Sequence, residues 1–278
     1  MSAINELREG LAHTQTAQFV TTMLRDISAT KLQSIRAAYE ANVQYYAELH
    51  HKVSMLQNYI AVNNIGLEQG KKKRVYVALT SNRRFYGTLN ADVIKRLRTE
   101  VAADGDAATC VIVGQTGRQI LQRSPLAAEI TYEAFLKDEP TPQEVERVIA
   151  SLRTNDEVVV IHPTFINAFE QKAKLTDLTH VPASTTPAVP PLDHIIEPDI
   201  PAMIEFFTTQ IRFVLFGRIV LETRLALTGA RLMKMQRARE RAGEMLTEER
   251  RVIHKEISTM QSMRLLETFA GFHNKESV

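Results

Sequence analysis

From Ala202 to Phe272 the chain contains no proline and keeps a heptad rhythm too long for a globular helix. Taking Ile204 as the first core position, alternating steps of three and four residues place Phe207, Ile211, Val214, Leu221, Leu225, Leu232, Met235, Ala242, Leu246, Ile253, Met260, Met263 and Ala270 on one stripe. Arg218, Thr228, Arg239, Glu249, Glu256 and Glu267 interrupt that stripe. They weaken the seam toward its end, and two readings are open: such positions set register, or they face a second protein where the pair has diverged. At a rise of ~1.5 Å per residue the helix reaches roughly 105 Å, several times the width of a small domain. It must protrude, so the spacing predicts a function that depends on reach.

The first sixty residues also lack proline and repeat apolar side chains at a helical period: Ile4, Leu7 and Leu11, then Val20, Leu24 and Ile27, then Val43, Tyr46, Leu49, Val53, Leu56 and Ile60. Asn63, Asn64 and Gly66 end this second helix, and Lys71 to Arg74 form a basic turn. Both helices leave the same intervening segment, so they are expected to lie antiparallel in a coiled coil. The C-terminal helix is the longer, and at ~1.5 Å per residue it should overhang by about 20 Å. Met260, Met263, Leu265, Leu266, Phe269 and Phe272 fall in that overhang. With no partner helix in the chain, such a surface needs burial by another protein.

Between the helices the pattern alternates strand and helix. Val75 to Leu79, Thr109 to Val113, Ile130 to Ala134 and Val158 to His162 read as strands. Ala91 to Val101, Gly117 to Arg123 and Pro142 to Leu152 read as helices, the last with proline in its first turn. Buried parallel strands joined by helices need cover on both faces, so one sheet between helices is expected. The predicted class is an antiparallel coiled coil of long N- and C-terminal helices with an inserted Rossmann-like α/β domain. Its parts are an N-terminal helix (1–66), the α/β domain (67–181), a linker (182–201) holding six of the ten prolines, and the C-terminal helix (202–278).

Composition restricts the function further. Formal net charge is only +2, which gives no general signal for nucleic acid. Charge is nevertheless uneven. From Arg231 to Lys255 eight basic residues, including Lys234, Arg237, Arg239, Arg241, Arg250 and Arg251, face four acidic ones. That stretch reads either as a solvated face laced with ion pairs or as a surface for an acidic partner. The most apolar stretch, Phe206 to Leu232, is broken by Arg212, Arg218, Arg224 and Arg231, so no direct membrane span is expected. The N-terminus lacks the basic and apolar regions of a secretory signal, and a lone cysteine, Cys110, fits a reducing compartment and reads as a small buried residue.

Chemistry is sparse. His50 and His51 are adjacent, about 100° apart on a helix, and cannot grip one metal together. No histidine or cysteine cluster has zinc spacing, so neither a metal nor any other cofactor is expected. Gly114-Gln115-Thr116-Gly117-Arg118 follows a strand and opens a helix, where amides could meet phosphate. It lacks the third glycine of a dinucleotide fingerprint and the Gly-Lys-Ser/Thr of a P-loop, so a tight strand-to-helix turn is the preferred reading. No catalytic constellation is found.

The architecture and several segments together resemble the gamma subunit family of F-type ATP synthases. In the first helix Val20-Thr21-Thr22-Met23-Leu24-Arg25-Asp26-Ile27-Ser28-Ala29-Thr30-Lys31-Leu32 is similar to the family's I-T-K-A-M-K-M-V-A-A-A-K-L, and Tyr46-Ala47-Glu48-Leu49 to its P-Y-A-E-K-L. Ser81-Asn82-Arg83-Arg84-Phe85-Tyr86-Gly87-Thr88-Leu89-Asn90 resembles S-D-R-G-L-C-G-G-F-N; without the resemblance it would read as a strand-to-helix loop capped by Asn90. In the last helix Ala230-Arg231-Leu232-Met233-Lys234-Met235-Gln236-Arg237-Ala238 resembles A-R-M-x-A-M-x-x-A, and Glu267 and Gly271 fit the closing E-I-V-x-G. Leu227 stands where the family has glutamate, Asn82, Arg84 and Thr88 replace the middle motif's Asp and two glycines, and the R-Q pair before the closing motif is missing. These departures suggest a divergent branch, with the alternative sodium-translocating F-type group as one candidate.

The resemblance implies a rotor shaft without a catalytic site of its own. The shaft would turn inside a ring of alpha and beta subunits, its α/β foot beside an epsilon-like subunit on the membrane c-ring, on the cytoplasmic side of the cell membrane. It implies contacts to the alpha/beta ring from Arg25, Lys31, Arg231, Met235, Arg237, Arg239, Arg241, Met260, Met263, Phe269 and Phe272. Ion flow, of protons or sodium, would then be coupled to ATP synthesis or hydrolysis by rotation. Two other classes stay open: a coiled-coil scaffold unrelated to ATP, and a small-molecule enzyme using the Gly114 to Gly117 turn as an anion site.

Overall fold

A computed structural model describes residues 2–62, 74–104, 109–126, 128–135, 139–152, 157–179 and 200–275. The expected helix break at Asn63, Asn64 and Gly66, the basic turn at 71–73 and the proline-rich stretch 182–199 lie outside these residues. The elements are α1 (Ser2–Val62), β1 (Arg74–Leu79), α2 (Leu89–Asp104), β2 (Thr109–Val113), α3 (Gln115–Arg123), β3 (Glu129–Glu133), α4 (Pro142–Leu152), β4 (Glu157–Phe165), β5 (Gln171–Asp177) and α5 (Ile200–Lys275). The chain divides into two compact units: Ser28–Arg231, and Met1–Ile27 with Leu232–Val278.

The first unit is built on a five-stranded sheet of order β3-β2-β1-β4-β5, with β1 to β4 parallel and β5 antiparallel to β4. The apolar runs of β1, β2 and β4 are buried on both faces, as central parallel strands require. Tyr76, Ala78, Cys110, Ile112, Val159 and Ile161 point to one side, where α2 brings Val93, Ile94, Leu97 and Val101 and α3 brings Leu121. The alternate residues Val75, Val77, Leu79, Val111, Val113, Val158 and Val160 meet α4 through Val145 and Val148, and α5 through Leu215, Phe216, Ile219 and Val220. One face of the sheet is therefore covered by the C-terminal helix together with α4. Phe216 is fully buried there, and truncation to alanine would cost about 3–5 kcal/mol.

Sequence periodicity located β1 to β4 and α2 to α4 to within a few residues but missed β5. Its sequence, Gln-Lys-Ala-Lys-Leu-Thr-Asp, is a half-exposed edge strand carrying two lysines, which sets no apolar signal against a loop. Pro142 does sit in the first turn of α4. Thr141 and Glu144 form a reciprocal capping box around it: Glu144 N donates to Thr141 Oγ1 at 3.3 Å, and Thr141 N donates to Glu144 Oε2 at 2.7 Å. Asn90 is not a helix cap. It lies inside α2 and binds back to Ser81, accepting from the Ser81 amide at 3.0 Å and donating to Ser81 Oγ at 2.9 Å. Helix α5 begins at Ile200, so Pro201 occupies its first turn, where a missing N–H does no harm. Cys110 is wholly buried, and burial pushes its thiol up to about 11, leaving it unreactive.

In the same unit α1 runs antiparallel to α5. Arg218 lies over the rings of Tyr39 and Tyr46, at 5.9 and 5.5 Å, and a Cβ on Gly217 would lie 3.9 Å from Asn42 Nδ2. Ser28, Ile35, Tyr39, Asn42, Tyr46 and Leu49 form the inward stripe of α1, again at heptad steps.

The second unit is an antiparallel two-helix coiled coil. Thr14 Oγ1 donates to Glu249 Oε1 at 2.9 Å, and a Cβ on Gly243 would lie 3.2 Å from Gln18 Nε2. On α5 the seam is Leu232, Met235, Arg239, Ala242, Leu246, Glu249 and Ile253, as the heptad predicts. Glu256 departs from it: the carboxylate is exposed and Ile257 turns partly inward. On α1 the expected middle positions need a larger correction. Val20 and Ile27 are 47% and 50% exposed, and the partly buried stripe is Ile4, Leu7, Leu11, Thr14, Gln18, Thr21 and Arg25. An unbroken three-four spacing from Ile4 to Arg25 keeps one face toward α5, and a straight helix cannot turn another face inward for two turns only.

Candidate partner-contact surfaces

The pairing of Thr14 with Glu249 fixes how far the two helices of the coiled coil overlap. Twelve residues lead back from Thr14 to Ser2, the start of α1, so on α5 the facing stretch ends near residue 261. The remaining turns, to Lys275, have no α1 residue opposite them, an overhang of roughly 20 Å at ~1.5 Å per residue. Met263, Leu265, Leu266 and Phe269 are 58–69% exposed there, while Met260 is half-buried at the edge of the overlap. Phe272 lies in the last turns of α5, and its side chain is outside the described residues.

Exposed apolar groups also gather where sequence reading had placed a seam. Phe19, Val20, Met23 and Ile27 recur at helical spacing on the outer face of α1, each 47–64% exposed. Continuing the heptad phase through Thr14, Gln18 and Thr21 would have found them, because the polar residues mark the inside. Local apolar density pointed to the wrong face.

The anticipated contacts along the coiled coil separate into inward and outward sets. Met235 is 5% exposed and belongs to the seam; Arg239 is half-buried in it. Arg237 and Arg241 are exposed, as are Lys234, Arg250, Arg251 and Lys255. Arg251 lies 3.7 Å from Glu248, so some of this charge is offset on its own helix. Arg25 sits at the rim of the seam and holds Asp26 at 2.5 Å.

In the sheet-bearing unit, Lys31 and Arg231 reach a different place. Lys31 Nζ meets Glu139 Oε1 at 2.7 Å, and Arg224 approaches the same oxygen at 3.7 Å. Arg231 covers the ring of the buried Tyr86 at 4.5 Å and donates to its hydroxyl at 2.6 Å. Arg83, from the loop after β1, completes a cleft of about 300 Å³ with Ile35, Leu227 and Thr228. Sequence reading named two of its residues, Lys31 and Arg231, and missed Arg83, Arg224, Tyr86 and Glu139, which come from separate elements.

The glycine turn offers no phosphate site. Gly114 adopts φ +106°, and the amides after it are already engaged: Gln115 N donates to Asn82 Oδ1 at 3.0 Å, Thr116 N to the Ser81 carbonyl at 3.0 Å, and Gly117 N to Thr80 Oγ1 at 3.0 Å. A Cβ on Gly114 would lie 2.4 Å from the Thr80 carbonyl oxygen. The glycines serve to seat the loop after β1 against the start of α3. Among the described residues no group of three or more histidine, cysteine or acidic side chains is arranged to hold a metal, and no helix is long and apolar enough to cross a membrane.

Comparison with known proteins gives a consistent picture. A family model described as ATP synthase matches residues 3–256. The ATP synthase gamma chain of Moorella thermoacetica is 25% identical over 254 residues, covering 88% of this chain and 89% of the relative. The gamma chain of Ruminiclostridium cellulolyticum is 22% identical over 265 residues, covering 88% and 86%. Among solved structures, a chain of the Euglena gracilis mitochondrial ATP synthase (OSCP/F1/c-ring) aligns over 100% of this chain and 97% of its own length, with a TM-score of 0.66 at 16% identity. A chain of that organism's ATP synthase rotor aligns over 93% and 99%, with a TM-score of 0.65 at 13% identity.

Proposed function

The chain belongs to the ATP synthase gamma family, and on that premise we propose which of its surfaces meet the other subunits and how they transmit torque. It is a non-catalytic central-stalk subunit; nucleotide chemistry takes place on other chains of the complex. The coiled coil of residues 2–27 and 232–275 enters the ring of alpha and beta subunits. The sheet-bearing foot, residues 67–181 with the helix segments packed on it, lies beside an epsilon-like subunit and the membrane c-ring. The complex is peripheral, on the cytoplasmic side of the membrane.

The observation that supports this reading most directly is the overhang of α5. Leu265, Leu266 and Phe269 are 60–69% exposed where α1 has ended, so they are available to turn within apolar loops of a surrounding ring. Such contacts carry few directional bonds and give a low barrier to rotation. Arg237 and Arg241, both exposed, offer charge to acidic loops of the beta subunits, and Phe19, Val20, Met23 and Ile27 add an apolar face on α1. Rotation of an asymmetric shaft then changes which beta subunit is held open, so ion movement biases binding of ATP, ADP and phosphate. The expected result of co-expression with alpha and beta subunits from the same source is a stoichiometric complex with ATPase activity. Failure of any such complex to form, with all three chains soluble, would count decisively against it.

A further inference from the structure

Among the described residues, the cleft bounded by Lys31, Arg83, Arg224 and Arg231 holds four cationic side chains from three parts of the fold and the carboxylate of Glu139. From this arrangement we infer a binding site for a small phosphate-bearing anion. The site lies wholly within the sheet-bearing unit and shares Lys31 and Arg231 with the ring contacts that the family resemblance implies.

Each wall has a separate origin. Lys31 comes from α1, Arg83 from the loop after β1, and Arg224 and Arg231 from α5, where seven residues bring them to the same face two turns apart. Ile35 and Leu227 form an apolar back, and Thr228 supplies a hydroxyl. Tyr86 fixes the orientation of Arg231 by stacking and by its hydroxyl. Arg83 and Tyr86 belong to the loop that follows β1, and the remaining walls come from α1, α5 and Glu139.

The chemistry favours phosphate over a single carboxylate or halide. A guanidinium is a planar donor fork that matches phosphate oxygens, and three line this cleft, Arg231 with one Nη engaged by Tyr86; Lys31 adds a compact charge. A volume of about 300 Å³ admits a phosphate or diphosphate group, at the small end of ligand pockets. Glu139 serves as an internal counterion, 2.7 Å from Lys31 and 3.7 Å from Arg224. Nε of Arg224 is buried with no hydrogen-bond partner among the described residues. An entering phosphate would take over the charge that Glu139 now balances, so the carboxylate and the ligand compete for the same donors. By tying α1, α5 and the β1 loop together, the bound anion would stabilise this unit.

The full-length chain can be titrated with inorganic phosphate, pyrophosphate and ADP at constant ionic strength, followed by calorimetry and by thermal unfolding. Saturable binding of at least one of these, with a rise in Tm, is expected; the three arms tell a free phosphate from a nucleotide's. Lys31→Gln and Arg83→Gln, both at exposed positions that folding tolerates, should each weaken binding by about tenfold or more. Glu139→Gln should tighten it severalfold, an effect a non-specific basic surface would not concentrate at one carboxylate. Absence of saturable binding by all three anions, or equal affinity in the wild type and in Arg83→Gln and Lys31→Gln, would overturn the assignment.

Discussion

The guanidinium of Arg231 lies 4.5 Å from the ring centroid of Tyr86 and donates a 2.6 Å hydrogen bond to that tyrosine's hydroxyl. The pair joins α5 to the loop after β1 and sits against the small core of Leu89, Ala226 and Leu227. Stacking and a hydrogen bond require a planar, forked cation, which lysine is not. In a double-mutant cycle of Arg231→Ala and Tyr86→Phe, which keeps the ring, urea unfolding should show a coupling of about 1 kcal/mol from the hydrogen bond alone. Arg231→Lys should recover less than half of the loss, although formal charge is preserved.

His162 provides a pH prediction. It is wholly buried between β4 and α5, its Nε2 is 3.0 Å from Thr176 Oγ1 and its Nδ1 is 3.2 Å from the Pro163 carbonyl. Glu222, also buried, accepts from Thr164 beside it. Burial lowers the imidazole to about 4; Glu222 and the Pro163 carbonyl oppose that shift, while Lys174 and Arg218 reinforce it. The unfolded imidazole, near 6.5, therefore takes up a proton that the folded one refuses. Stability from this group is present above pH 6.5 and declines as pH falls toward 4, by on the order of 2–3 kcal/mol in all. Urea midpoints at pH 7.5, 6.5, 5.5 and 5 should fall in sequence. In His162→Gln the slope across this window should flatten, since carboxylates titrate mostly below it.

Two glycines should respond oppositely to alanine. At Gly114 a methyl group meets the Thr80 carbonyl at 2.4 Å and the backbone has φ +106°, so Gly114→Ala should destabilise by about 2–4 kcal/mol. At Gly10, within α1, nothing lies within 4 Å of an added Cβ. Gly10→Ala should stabilise by about 0.5–1 kcal/mol through helix propensity. Thermal unfolding of both variants measures the contrast.

What sequence reading captured and missed divides along physical lines. Strands β1, β2 and β4 were legible because burial on both faces leaves continuous apolar runs, and α5's seam was legible because Leu232, Met235, Ala242, Leu246 and Ile253 hold the heptad phase across the polar Arg239 and Glu249. The seam of α1 was not, because Thr14, Gln18, Thr21 and Arg25 occupy inward positions while Phe19, Val20 and Ile27 face out. Edge strand β5 was hidden by its lysines. The cationic cleft is a tertiary feature: Lys31, Arg83, Arg224 and Arg231 are spread over two hundred residues, and no local pattern links them.

The outer face of α1 separates partner contact from folding. Phe19, Val20, Met23 and Ile27 lie outside the seam, so replacing Phe19 and Met23 together by serine should change the isolated chain's stability by no more than about 0.5 kcal/mol per site. Leu246, 5% exposed inside the seam, should instead lose about 2–5 kcal/mol on truncation to alanine. If the face meets the alpha and beta subunits, the serine variant should assemble poorly or couple poorly while its melting curve stays unchanged, and Leu246→Ala should fail in both measurements. Melting curves of the chain alone and ATPase-coupled rotation of the assembled complex distinguish the two. A serine variant that assembles and rotates as the wild type does would remove this face from the contact surface and leave the α5 overhang as the principal apolar one.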